Sequence, residues 1–481
     1  MSLTILSDEQ IQSLLENLTP DEAQEFVDKL RNALHEYSTG IQSSQDGVLH
    51  QPERIAVNST TTGATTLFMP SFGVLGHAIK VVTLSSANAD PKLPTIKPTG
   101  SVTLYSPQGP PIGFLHAQTL TAFRTALASS ILLQKRTNVR TITVFGSGLQ
   151  AYWHVRLALM LRGDTIRQVY IINRQFSESA RITFKKIYGV PQDLKQREGW
   201  DQAQFSLLTP TYGEYSRLLK EHLRASDVIY CCTPSTENLF DASILTNNEG
   251  RRKGRLIVAV GSYTPQMREL PRELLLQATK PHASGHLHYH KHATEGGVIV
   301  VDTLDGAMKE AGEIIESGLA PRQLVELGEL VMIHRLTKEE EESLPSQSST
   351  EASSINDSFE KLDLTSPSIS SIYGSESGST SILGDGSKRS SSRSPSRGGS
   401  GSGFPHSLHK RNSSNQGLAS ESQKQQNNHH HHLSRWLSIG NVIYKSVGLG
   451  LMDLTVGFEV VRLAKEKGLG SHVESFSASS S

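Results

Sequence analysis

The stretch 139–174, VRTITVFGSGLQAYWHVRLALMLRGDTIRQVYIINR, decides the fold. Thr141–Phe145 is short, β-branched and apolar, as expected of a strand buried on both faces of a parallel sheet. Gly146 and Gly148 follow at once, Leu149–Leu161 reads as a helix, and VYIINR is a second apolar strand ending at Asn173-Arg174. A turn of this kind sets unpaired backbone N–H groups and the positive end of a helix dipole against a pyrophosphate. Gly146 permits the tight turn, Gly148 lets the backbone approach the phosphates, and Ala151 lets helix and strand pack closely. A GxGxxA match alone is weak; between a strand and a helix, with another strand following, it reads as a dinucleotide site. The candidate cofactor contacts are Gly146, Gly148, Leu149 and Gln150, with Thr233 at the end of the later strand-like run VIYCCTP.

The end of the second strand bears on which dinucleotide is bound. A carboxylate there takes the ribose 2′-hydroxyl of NAD, whereas a nearby Arg accommodates a 2′-phosphate. This chain offers Asn173 and Arg174, and no carboxylate before Glu178. A guanidinium takes a phosphate through paired charge-assisted hydrogen bonds, so NADP(H) is favoured over NAD(H).

Composition excludes several classes. At 481 residues the chain can bury a large core and is expected to form two domains plus extras. Lys+Arg and Asp+Glu both number 47, so neither a basic field for nucleic acid nor an acidic field for a basic partner is present. The only two cysteines, Cys231 and Cys232, are adjacent in an apolar run, which argues for small residues of a buried strand and against a disulfide framework. MSLTILSDEQIQSLLENL reads as a short strand and a capped amphipathic helix, not a signal peptide. No run reaches the ~18 apolar residues of a membrane span. The expectation is a soluble, cytoplasmic protein.

Strand-like runs TITVFG, VYIINR, VIYCCTP, LIVAVGS and GVIVVD alternate with helical ones such as Glu178–Tyr188 and the segment near Tyr215–Leu223. This alternation predicts a doubly wound parallel sheet over 126–304, an α/β Rossmann-type dinucleotide domain. Residues 50–115 read differently: RIAVNST, TTLFMPSF, GHAIKVVTLS and SVTLYSP are short strands joined by turns, predicting a second α+β domain with a mainly antiparallel sheet. That substrate and dimerisation domain is expected to span 1–125, completed by 305–337 and 436–475. Between them, 338–435 is dominated by Ser, Gly, Asn and Gln, cannot bury enough apolar surface to offset its ordering entropy, and is expected to be a disordered insertion. Its Ser-Arg-Ser-Pro stretch is a weak hint of phosphorylation. His429–His432 within it reads as low complexity rather than a metal site, and Lys338–Glu342 as a solvated charge run. The alternating His286, His288, His290 and His292 would share a face of a strand, but lie where a solvent-facing connection is expected, so no metal is assigned.

Several ordered motifs resemble the ornithine cyclodeaminase/mu-crystallin family, over nearly everything except 338–434. PERIAV and LFMPSF (Leu67–Phe72) resemble its opening strands, GHAIKVVTLSSAN (Gly76–Asn88) its lysine-bearing strand and following asparagine, and LTAFRTALAS (Leu120–Ser129) its arginine-bearing helix. VFGSGLQA resembles its phosphate turn, and VDTLDGAMKEAGEI (Val301–Ile314) and YKSVGLGLMDL (Tyr444–Leu454) its two C-terminal signatures. The resemblance implies that Arg54 and Arg124 hold the substrate carboxylate and that Lys80 handles the proton at the reacting C–N centre. It implies that Ser446, Val447 and Gly448 line the nicotinamide end of the cleft, and that the protein is a homodimer joined through its β-rich domains.

One departure bears on the activity. Cyclodeaminase members carry an aspartate in a pattern like GxDxPGKxEL, whereas this chain has GSYTPQMREL (Gly261–Leu270), with Tyr263 at the aspartate position and Met267 at the lysine position. Cyclodeamination needs managed proton transfers, and a tyrosine of ordinary pKa near ~10 is a poor base at neutral pH. The reading is therefore an NAD(P)H-dependent reductase of a small cyclic ketimine carboxylate related to proline or pipecolate. The alternatives are an ornithine cyclodeaminase or amino-acid dehydrogenase using NAD, and a non-catalytic NADPH- or small-ligand-binding protein of the mu-crystallin kind.

Overall fold

Two hydrogen-bonded sheets organise the computed structural model, which describes residues 2–40, 49–86, 90, 92–280, 296–330, 436–474 and 476. In chain order the strands are β1 (Leu3–Leu6), β2 (Ile55–Ser59), β3 (Ala64–Gly73), β4 (Gly76–Ser85), β5 (Thr99–Tyr105), β6 (Pro111–His116), β7 (Thr141–Phe145) and β8 (Gln168–Ile172). They continue as β9 (Gln204–Leu208), β10 (Val228–Cys231), β11 (Leu256–Ala259), β12 (Val298–Val301), β13 (Leu324–Glu326), β14 (Val442–Lys445) and β15 (Ser471–Val473). The helices are α1 (Asp8–Glu16), α2 (Pro20–Thr39), α3 (Ala117–Leu133), α4 (Leu149–Arg162), α5 (Glu178–Tyr188) and α6 (Gln192–Arg197). They continue as α7 (Tyr215–Ala225), α8 (Ser243–Thr246), α9 (Arg272–Ala278), α10 (Leu304–Glu310), α11 (Gly312–Ser317) and α12 (Gly450–Glu466).

The first sheet runs β15-β1-β6-β5-β4-β3-β2. It is antiparallel except where β1 runs parallel to β6. Side chains alternate across it. On β4, Ala78 and Lys80 point to the face that packs against α1, α3 and α12, and Lys80 stands opposite Met69 and Val102 in register. The second sheet runs β13-β12-β14-β11-β10-β7-β8-β9, and every pairing in it is parallel. The chain starts it at β7, lays β8 and β9 to one side, then returns with β10 on the other side of β7. The crevice at the carboxyl ends of β7 and β10 is therefore the topological switch point, where open α/β sheets bind ligands. The expected combination of a doubly wound parallel sheet and a mainly antiparallel one is what the chain builds.

The placement of the C-terminal segment differs from expectation. Residues 305–337 and 436–475 were assigned to completing the first domain, yet β13 and β14 belong to the parallel sheet, β14 between β11 and β12. VIYK is buried along its whole length, which only a strand covered on both faces can satisfy. Eight residues past Lys445 the same segment is already inside α12, on the other sheet. It thus stitches the two sheets together. β9, QFSLL, was missed because its alternating pattern leaves Gln204 and Ser206 exposed, as suits the edge strand it is. Asn88, the histidines at 286–292, the charge run at 338–342 and the tract 338–435 with His429–His432 lie outside the described residues.

Candidate active site

The glycine turn has the geometry the sequence required. Gly146 adopts φ +100°, and a Cβ there would meet the Cys232 carbonyl oxygen at 2.9 Å and Thr233 Cγ2 at 3.1 Å, so β7 and β10 approach too closely for any side chain. Gly148 caps α4 with no side-chain hydrogen bond, and a Cβ at Gly148 would meet nothing within 4 Å. The first turn of α4, Leu149 and Gln150 included, thus faces open space with its amides available, the arrangement an anionic group needs. Gln150 Oε1 is a buried acceptor without a partner among the described residues.

At the end of β8, Asn173 donates to the Gln175 carbonyl and to Ser177 Oγ, which also caps α5. Arg174 is exposed. Glu178 is exposed and pairs with Arg181 of the same helix through two hydrogen bonds of 2.7 and 2.9 Å. Cys231 and Cys232 are buried free thiols; burial pushes both well above the ordinary thiol pKa, which leaves them un-nucleophilic core residues.

Lys80 and Arg124 converge on one residue to which no role was given from sequence. Asp453, in the first turn of α12, accepts from Lys80 Nζ at 2.6 Å on one oxygen and from Arg124 Nε at 3.2 Å on the other. All three are buried, with Asp453 fully so. Desolvation draws Lys80 down to about 8, opposed by the Asp453 charge and aided by Arg124. Charges this deep persist only when paired. Asp453 lies within the motif YKSVGLGLMDL, and a lone acid in the otherwise apolar stretch LMDLTVGF was the signal that it needed a partner.

Arg54, just before β2, is only part-buried. Its Nε lies 2.7 Å from Glu310 Oε1, and its Nη2 donates to the Tyr263 carbonyl at 3.2 Å. Burial raises the Tyr263 phenol above its ordinary pKa, with Arg54 pulling the other way. Arg54 is thus tied to the parallel-sheet side of the molecule, whereas Lys80 and Arg124 meet on the inner face of the other sheet.

Ser446, Val447 and Gly448 form the link from β14 to α12. Asp302, at the end of β12, organises them: one oxygen accepts from Ser446 Oγ, Val447 N and Gly448 N, and the other from the Tyr444 hydroxyl. Gly448 takes φ +86°, and a Cβ there would fall 2.9 Å from both terminal nitrogens of Arg124. The loop therefore presses directly on that guanidinium. Thr233 N and Oγ1 donate to Glu269, whose other oxygen accepts from Gly261 N and Ser262 N. Glu269 is wholly buried and desolvation pushes it up to about 7. Neither Asp302 nor Glu269 is separable from the other acids of the chain by sequence reading alone. Among the described residues no cluster of His, Cys, Asp and Glu suits a metal ion.

Fold and site define a class: a switch-point sheet with a phosphate-type glycine turn, stitched to an antiparallel sheet that buries a lysine–arginine–aspartate set. The sequence model of the ornithine cyclodeaminase/mu-crystallin family matches residues 17–190 of this chain. A Δ1-pyrroline-2-carboxylate reductase of Bacillus cereus is 27% identical over 290 residues, 58% of this chain and 74% of its own. The ketimine reductase mu-crystallin of Mus musculus is 26% identical over 311 residues, 65% of this chain and 81% of its own. A solved Thermococcus litoralis Δ1-pyrroline-2-carboxylate reductase, in complex with NADH and L-proline, matches in fold with a TM-score of 0.57 at 16% identity, covering 98% of this chain and 100% of that one.

Proposed function

We propose that this protein is an NAD(P)H-dependent oxidoreductase acting on the C–N bond of a small imino or amino acid, and that it reduces a cyclic ketimine carboxylate such as pyrroline- or piperideine-2-carboxylate. The observation that carries the reading is the buried Lys80–Asp453–Arg124 set. Relatives named as ketimine and pyrroline-2-carboxylate reductases support it. A bound reduced nicotinamide would supply the hydride for the imine carbon. Arg54 and Arg124 hold the substrate carboxylate on guanidinium nitrogens. Lys80, protonated below its lowered pKa of about 8, hydrogen-bonds the imine nitrogen and delivers the proton that balances the hydride. Asp453 fixes the lysine and keeps its charged form in a desolvated place.

The cofactor's phosphates would rest on Gly146, Gly148, Leu149 and Gln150, with Thr233, Ser446, Val447 and Gly448 toward the nicotinamide. NADP(H) is favoured, because Asn173 and the exposed Arg174 stand at the end of β8, with no carboxylate before Glu178 in α5. Arg174→Ala should weaken NADPH binding roughly tenfold or more and leave NADH nearly unchanged, since a ribose-bound guanidinium without its phosphate adds little. Equal losses in calorimetric titrations would refute the assignment.

A homodimer and a cytoplasmic location belong to the same proposal; imaging of the tagged full chain tests the second. The first is supported by the sheet face away from α1, α3 and α12, which exposes Ile5, Phe72 and Phe114.

One observation favours a second reading. Tyr263 replaces the aspartate of cyclodeaminases, but Asp453 supplies a carboxylate at Lys80 from another element, so cyclodeamination of ornithine with NAD has an acid–base pair to draw on. The deciding experiment follows NADPH absorbance with pyrroline- and piperideine-2-carboxylate, and proline formation from ornithine plus NAD in parallel. NADPH oxidation supports the reductase, and proline supports the cyclodeaminase. Tight NADPH binding with silence in both supports the non-catalytic binding protein.

A further inference from the structure

We propose that Glu310 is a positioning residue for Arg54: its charge pairs with the guanidinium beside Nε and leaves the terminal Nη side for the substrate carboxylate. The proposal rests on the reading of Arg54 as a carboxylate holder. Arg54 lies in the coil ahead of an exposed edge strand, and an unrestrained arginine there would lose rotamer freedom on engaging a ligand. Two tethers from the other side of the molecule remove much of that freedom beforehand. Glu310 Oε1 stands 2.7 Å from Nε, and the Tyr263 carbonyl accepts from Nη2 at 3.2 Å. Nη1 donates to no group among the described residues.

The geometry separates orienting from blocking. A guanidinium presents five N–H donors in a rigid fork with distinct edges. A carboxylate that occupied the substrate's place would take the terminal Nη1/Nη2 pair. Glu310 instead pairs with the guanidinium charge beside Nε, and Nη1 and one Nη2 hydrogen are left for a second, incoming carboxylate. The tether is itself buttressed: Lys309, the preceding residue of α10, pairs with Glu53 at 2.6 Å and with Asp305 at 3.1 Å. Adjacent pairs Glu53–Lys309 and Arg54–Glu310, of opposite polarity, thus clamp the approach to β2 onto α10. The opposite, N-terminal end of α10 is fixed by Thr303, whose hydroxyl accepts from Gly306 N, and by Glu326, which accepts from Leu304 N.

The test compares Glu310→Ala, Glu310→Gln, Arg54→Ala and the Arg54→Ala/Glu310→Ala double variant in the full chain. Two readouts are used: steady-state reduction of pyrroline-2-carboxylate, and calorimetric binding of pyrrole-2-carboxylate, a planar monocarboxylate without a reducible C=N bond. Glu310→Ala is expected to raise KM and the analogue's Kd roughly tenfold while kcat stays within about twofold, the signature of lost uniform binding. Glu310→Gln, which keeps the size but removes the charge that pairs with the guanidinium, is expected to share most of that loss. In the Arg54→Ala background, Glu310→Ala should add nothing, as for residues that act through one another. An unchanged or lowered KM and Kd in Glu310→Ala, with Arg54→Ala impaired, overturns the assignment of Glu310 alone. Unchanged values in Arg54→Ala overturn the reading of Arg54 beneath it, and the analogue titration gives this answer even if no turnover occurs.

Discussion

Lys80 keeps its proton in a place with almost no water, which gives the site a pH signature. Its pKa of about 8 lies below the ordinary lysine value because burial penalises the ammonium more than Asp453 compensates. Imine reduction consumes the protonated form. Above pH 8 that form is titrated away, so kcat/KM for a ketimine should fall with a one-proton limb centred near 8, and Lys80→Ala should lose both the limb and roughly 10²-fold or more of the rate. A flat profile from pH 7 to about 9.5 would dismiss Lys80 as the acid. The candidate residues Arg54, Lys80 and Arg124 were legible because each sits in a motif. Their partners were not: Asp453 lies 373 residues from Lys80, and no local pattern encodes a pairing across that distance.

The element that matters most is the loop Ser446–Leu449 between β14 and α12. Asp302 supplies the acceptor for two of its amides, and Gly448 brings its backbone against Arg124. Gly448→Ala adds a Cβ at 2.9 Å from two guanidinium nitrogens and forces φ +86° on an L side chain. The expected outcome is a loss of about 1–3 kcal/mol in chemical unfolding and a raised KM for the ketimine, since Arg124 must move. Wild-type behaviour in both would mean that the loop yields freely and does not set the arginine. Strand and helix identities along 139–188 were readable from period and turn chemistry. The sheet that β14 joins was not legible, because a four-residue apolar run states that it is buried without stating where.

At the scale of the whole molecule, Glu269 makes stability depend on pH. Its folded pKa of about 7 lies above the ordinary 4.5, so between these values the native state binds more protons than the unfolded state. Unfolding free energy should therefore fall as pH rises from about 4.5 to 7 and stay lowered above it, by on the order of 3 kcal/mol from this group. Denaturant melts of Glu269→Gln should start from lower stability, because an amide is a poorer acceptor for Gly261 and Ser262, but should show a flatter slope across that window. An unaltered slope would remove Glu269 as its source. The exposed face of the antiparallel sheet belongs to the same scale. Phe114→Glu, at a position 45% exposed at its centre, should convert a homodimer to a monomer in light scattering without loss of fold. A dimer that persists would place the interface elsewhere.

The amino-acid order alone specified the parallel and antiparallel sheets and the glycine turn, and singled out the basic residues of the candidate site, because periodicity, turn chemistry and short motifs act over a few neighbouring residues. The acids that hold those bases, Asp453 for Lys80 and Arg124 and Glu310 for Arg54, were chosen only when the chain folded. So was the stitching of the last segment through both sheets. The reason is physical: a buried charge must find its counter-charge in space, and which acid reaches it depends on how helices and strands far apart in the chain are brought together.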